Sequence, residues 1–165
     1  MIDTSGNNPV IQVNMFGGFT ITMDNRTMSD SDNRSRKAWS LLSYLIVNRR
    51  KDVSINELFN AIWQEGMQDN PYGALKTLVF RVRKMMEAAG FPSQELILNQ
   101  KGAYMWNPSW KLTIDTDRFE FLCKRILNSQ DDMGNLEPEW REALGLYKGT
   151  FLPKSADESW VNPLH

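Results

Sequence analysis

Few residues in this sequence are able to make or break covalent bonds, and none is spaced to do so. The one histidine, His165, is the last residue. No Cys-His, Ser-His-Asp or metal-ligand spacing is present, and no phosphate-binding glycine loop. Cys123 falls on the apolar face of a predicted helix, where it packs, and as the single cysteine it excludes an internal disulfide framework and a Cys-rich zinc site. The pair Asp131-Asp132 lies in a polar stretch that reads as a solvated loop. The expectation is a protein that is not an enzyme and uses no cofactor and no metal.

The remaining reactive groups are cations. Between Pro71 and Trp106 the basic residues are Lys76, Arg81, Arg83, Lys84 and Lys101, set against Glu87 and Glu95. Two further clusters are Arg34, Arg36 and Lys37, and Arg49, Arg50 and Lys51. Such residues neutralise phosphates, and a guanidinium can grip guanine O6 and N7 with a pair of hydrogen bonds. The net charge of -1 gives no basic excess overall. Residues 1–110 carry 12 Lys/Arg against 10 Asp/Glu, and residues 111–165 carry 7 against 10. Phosphate binding needs positive charge focused on one face, not spread over the chain. Without a supporting pattern, clusters like these are ordinary solvated surface.

The supporting pattern lies in the elements that would hold them. The 165 residues are 41% hydrophobic, a folded composition with core enough for one domain and part of a second. No apolar run is long enough to cross a membrane, and the polar start, residues 1–9, lacks a signal-peptide pattern and reads as disordered, so a cytoplasmic protein is expected. Val10-Phe16 and Phe19-Met23 read as strands joined at Gly17-Gly18, with Arg26-Met28 as a short third. Ala38, Leu41, Leu42, Leu45 and Ile46 give a helix over 35–48 one buried stripe. A second helix spans 55–64, with Ser54 and Glu57 as a capping box and Leu58 and Ile62 inward. The third helix, 71–89, is capped by Asn70, begins at Pro71 and stops at Gly90. It buries Leu75, Leu78 or Val79, Val82 and Met86, and turns Lys76, Thr77, Phe80, Arg81 and Lys84 outward. Glu95-Asn99 and Tyr104-Trp106 then form a hairpin with Lys101-Gly102 at its tip. Beyond residue 110 two helices follow, at 115–128 and 136–147, and a pair of this kind normally stacks on a neighbouring repeat.

Taken together, these segments resemble the OmpR/PhoB-type winged helix as used in the Streptomyces antibiotic regulatory protein (SARP) family. The resemblance rests on Val53-Ser54-Ile55-Asn56-Glu57-Leu58 to Trp63, on Gly73-Ala74-Leu75 to Arg81-Val82-Arg83, and on the wing Lys101-Gly102-Ala103-Tyr104. Asp117-Arg118-Phe119, Leu146 to Pro153 and Glu158-Ser159-Trp160-Val161 are similar to the start of the bacterial transcriptional activator domain, which is built of tetratricopeptide-like helix pairs. The resemblance implies an α+β winged helix-turn-helix over 10–110, followed by a tetratricopeptide-like helical hairpin over 111–165. It departs from the family at Leu78 and Phe80, positions that are usually polar there.

The function expected from this reading is sequence-specific DNA binding and transcription activation. Arg81 is the expected base contact, with Lys76, Thr77 and Phe80 beside it, the last against a thymine methyl. Arg83 and Lys84 are expected on phosphates, as are Arg36, Lys37 and the cap residue Asn70. Lys101 and Tyr104 belong to the wing, which would reach the minor groove or its backbone. The resemblance further implies promoter direct repeats as the DNA partner, a side-by-side homodimer, and RNA polymerase contacted through residues 65–70 or the helical tail, with no membrane partner. The competing reading is a winged-helix module that has lost DNA binding and docks protein through Phe80 and the helical tail.

Overall fold

The computed structural model describes residues 8–63, 69–130 and 133–164. The proposed polymerase contact at 65–68, the Asp131-Asp132 pair, His165 and the first seven residues of the polar start lie outside them. The chain is a mixed α/β fold with two small sheets flanking a helical core.

The first sheet is built from β1 (Ile11–Asn14), β2 (Thr20–Met23) and β3 (Arg26–Ser29), joined antiparallel. Alternation sets its inner face: Ile11 and Val13, then Ile21 and Met23, are buried, while Gln12 is exposed. Three helices fill the middle: α1 (Arg36–Val47), α2 (Ile55–Ile62) and α3 (Pro71–Ala88). Ser54 caps α2 by accepting the Glu57 amide at 3.1 Å. The reciprocal half of the expected capping box does not form, because the Glu57 carboxylate is taken by the Tyr44 hydroxyl at 2.8 Å and the Lys51 ammonium at 2.6 Å. The hydrogen bond from Lys51 holds Glu57 below its ordinary pKa, and burial, aided by Glu57, pushes the Tyr44 phenol up to about 12.

After α3 the chain turns sharply. Gly90 has φ +86°, its amide donates to Glu87 O and the Phe91 amide donates to Met86 O, the paired bonds of a Schellman stop. The segment expected as one strand divides into a single helical turn, α4 (Ser93–Leu96), and β5 (Ile97–Gln100). β5 returns as β6 (Ala103–Trp106), and a two-residue strand, β4 (Val53–Ser54), completes a sheet of order β4-β6-β5. β4 is too short for any sequence pattern to reveal.

The C-terminal third is bound into the same body. β7 (Leu112–Ile114) joins the first sheet parallel to β1, and α5 (Asp115–Asn128) packs against α6 (Glu137–Leu146). The Asp115 carboxylate, at the first position of α5, receives the amides of Met15 at 2.8 Å, Phe16 at 3.1 Å and Thr116 at 2.8 Å. After α6 the chain doubles back over the β1–β2 loop. Gly17 donates to Thr150 O and Leu152 to Met15 O, and Phe151, Leu152 and Val161 enter the core that also holds α1 and α3. Residues on both sides of position 110 thus share one hydrophobic core. In α6 the apolar Leu144 faces outward and Ala143 takes the buried position, while Tyr147, just past the helix, sets its half-exposed ring against Phe16 and Phe119.

Candidate nucleic-acid interface

The candidate interface is the outer face of α3 together with the β5–β6 hairpin. The helix forms where the sequence places it because its ends are fixed chemically. Pro71 needs no amide partner at the first position, and the Asn70 side chain accepts the Gly73 amide at 3.0 Å. Leu75, Leu78, Val79, Val82 and Met86 are all buried, so one stripe is locked against the core and the opposite face is presented.

On that face Lys76, Phe80 and Lys84 form one row at four-residue spacing, with Thr77 beside it. All four are exposed. The Lys84 ammonium stands 5.5 Å from the Phe80 ring centroid and pairs with Glu87 at 3.3 Å, leaving it half-committed within its own helix. Thr77 donates back to Gly73 O at 2.9 Å. Lys76 and Arg81 have no carboxylate partner among the described residues. Arg81 sits at the edge of the face: with Met85 and Ala88 it lines a groove of about 450 Å³ against Thr27, Asp32, Asn33 and Ser35. The centre belongs to Phe80, which is 60% exposed.

Arg83, expected on a phosphate, lies on the hairpin side of α3 and donates to the Ile97 carbonyl at 2.9 Å. Its Nε is buried without a partner among the described residues. Its guanidinium therefore ties α3 to the base of the hairpin. The hairpin tip is a two-residue turn, Lys101 at φ +50° and Gly102 at φ +76°, and positive φ at both positions gives the twist that matches a two-residue connection. Lys101 is exposed at the tip. Tyr104, expected beside it on the interface, is 3% exposed and belongs to the core. The two-residue period of a strand puts it on the face of Trp106, a signal available in the sequence.

The cations of α1 are engaged elsewhere. Arg36 forms an ion pair with Asp157 and lies 4.0 Å from Glu158, both from the C-terminal segment. The hydrogen bond that Arg36 donates to the Asp157 carboxylate raises the Arg36 pKa and lowers that of Asp157. Lys37 stands 5.3 Å from the Trp63 ring centroid and donates to Ile62 O at 3.5 Å, which places it at the C-terminal end of α2. Asn70 is occupied as a cap. The sequence reading missed Tyr72, exposed in the first turn of α3. It lies beside the buried stripe, three residues before Leu75 and seven before Val79, so helical period alone points it inward; in the first turn it is left exposed. The structure thus brings together Lys76, Thr77, Phe80, Arg81 and Lys84 on one helix face. Arg36, Arg83 and Tyr104 are turned to structural work.

No protein-family model matches the chain, and no curated protein sequence matches it. A solved structure of Mycobacterium tuberculosis EmbR in complex with a low affinity phosphopeptide has a similar fold. The TM-score is 0.70 at 18% identity, over 94% of this chain and 41% of that one. The chain therefore spans less than half the length of EmbR, and the likeness is one of fold. Among the described residues no helix is long and apolar enough to cross a membrane.

Proposed function

We propose that this chain is a sequence-specific DNA-binding transcription regulator of the SARP type. On this reading α1, α2 and α3 are the helices of a winged helix-turn-helix, α3 enters the major groove, and the β5–β6 wing lies along the adjacent minor groove or backbone. The observation that carries it is the α3 face: a long helix, locked on one side by five buried apolar residues, offers Lys76, Thr77, Phe80, Arg81 and Lys84 on the other. A helix of this width fits the major groove, and short polar, cationic and apolar groups in one row suit base edges. The exposed Lys101 at the hairpin tip supports a wing contact. The fold shared with part of EmbR agrees with the family resemblance in the sequence.

The wider role follows from that resemblance: activation from promoter direct repeats by a side-by-side homodimer, contact with RNA polymerase, and a place in the cytoplasm, with no catalysis and no cofactor. One observation favours a second reading, a protein-docking module. Phe80 and Tyr72 leave large apolar rings in water on the same helix.

Random-sequence duplex DNA titrated across a salt series separates the two. Lys76, Arg81, Lys84 and Lys101 together would neutralise about four phosphates, so log K falls against log salt with a slope of about -3.6. Lys76→Ala and Lys101→Ala each flatten the slope by about 0.9. No binding at about 50 mM salt would contradict the DNA reading and support the docking module.

A further inference from the structure

Charge on the α3 face is placed around an apolar centre, not at it. Phe80 is the largest side chain there and is 60% exposed, flanked along the helix by Lys76 and Lys84 at four residues to either side, with Thr77 alongside. Among the described residues the ring contact is the Lys84 ammonium, 5.5 Å from the centroid, and most of the ring stands in solvent. An ammonium beside the ring holds a cation where phosphates would flank a groove-bound helix, and leaves the ring edge free to point inward. Arg81, the side chain best suited to guanine, is drawn to the border of the face beside Thr27, Asp32, Asn33 and Ser35. In the major groove one base-pair feature is apolar: the C5-methyl group of thymine.

We infer that Phe80 is a specificity-determining residue that reads a thymine methyl group, so that the preferred duplex carries at least one thymine under the centre of α3. The inference rests on the DNA-binding reading and deepens it by naming the base and the atom group recognised. The flanking cations favour this occupant over a protein, because a partner covering Phe80 would also have to desolvate Lys76 and Lys84, whose charges suit a polyanion.

The experiment starts by selecting a preferred duplex from a random pool with the parent protein. Each thymine in it is then replaced in turn by deoxyuridine, which removes the methyl group and keeps every hydrogen-bonding atom. The parent is expected to lose affinity by about fourfold at one or two positions, the factor for burying one methyl-sized group. In Phe80→Ala the ratio of thymine to uracil affinity at those positions falls to one, and in Phe80→Leu it is partly kept. The ratio is read within each variant, so a general change in affinity does not disturb it. If uracil is tolerated everywhere by the parent, or the loss persists in Phe80→Ala, the inference fails while DNA binding stands. If the parent binds no duplex at all, both the DNA reading and this inference fail.

Discussion

At the scale of single residues, the interface is defined as much by the cations it excludes as by those it keeps. Arg83 and Lys84 are adjacent in sequence, yet only Lys84 is exposed on the outer face. A helix turns about 100° per residue, so the two point to different sides, and Arg83 donates to the Ile97 carbonyl. Replacing Arg83 with Met should therefore lower stability by about 1.5–3 kcal/mol in urea denaturation, the range for a hydrogen bond to a charged group. It should leave the salt slope for DNA unchanged, whereas Lys76→Ala changes the slope and leaves stability within about 0.5 kcal/mol. Glu57 gives a pH signature. Its pKa is lowered in the fold, chiefly by Lys51. The stabilisation it brings is thus present above the ordinary glutamate value of about 4.3 and is lost as pH falls through the lower folded value. Glu57→Gln should lower stability near neutral pH and narrow the gap between neutral and acid denaturation midpoints.

At the scale of elements, what local chemistry controls was readable from the sequence. Leu75, Val82 and Met86 in the buried stripe of α3, its Asn70 and Pro71 start and its Gly90 stop all follow from helical period and end effects; Leu78 and Val79 are alternatives by period, and the fold buries both. The Schellman stop makes a sharp prediction. Gly90→Ala forces a left-handed φ on a residue with a Cβ, and that Cβ would lie 2.9 Å from Arg26 Cδ. A loss of about 1–2 kcal/mol is expected by thermal unfolding. Elements made by pairing alone were not readable. β4 has two residues and β7 three, and each exists because another strand's backbone lies beside it. Tyr104 was readable and misassigned, since Trp106 already marked the inward face of β6. Arg36 was not readable, because its partner Asp157 lies 121 residues away.

At the scale of the whole molecule, the C-terminal segment and the N-terminal sheet hold each other in place. Asp115 gathers amides from the β1–β2 loop, Gly17 lies under the backbone of Lys148, and Val161 is fully buried. A Cβ on Gly17 would stand 2.5 Å from Lys148 O at a φ of +74°. Gly17→Ala and Asp115→Ala should both loosen this junction, the second by about 1–3 kcal/mol for the buried Met15 amide left without a partner. Because segments 11–63, 75–114 and 151–161 contribute to one core, thermal unfolding should follow a single transition that both variants move to lower temperature. Long-range closure of this kind carries no local sequence signal; Phe151 and Leu152 read only as a short apolar stretch until the loop they pack against is in place.

The central claim is that α3 and the hairpin tip form a DNA-binding surface, and its most direct test is a map of backbone amide chemical shifts as duplex DNA is added. The largest changes are expected at Lys76, Thr77, Phe80, Arg81 and Lys84, with a second group at Lys101 and Gly102, and none at Leu127 of α5 or Leu144 of α6. Changes confined to α5 and α6, or no change along α3 at saturating DNA, would contradict the claim.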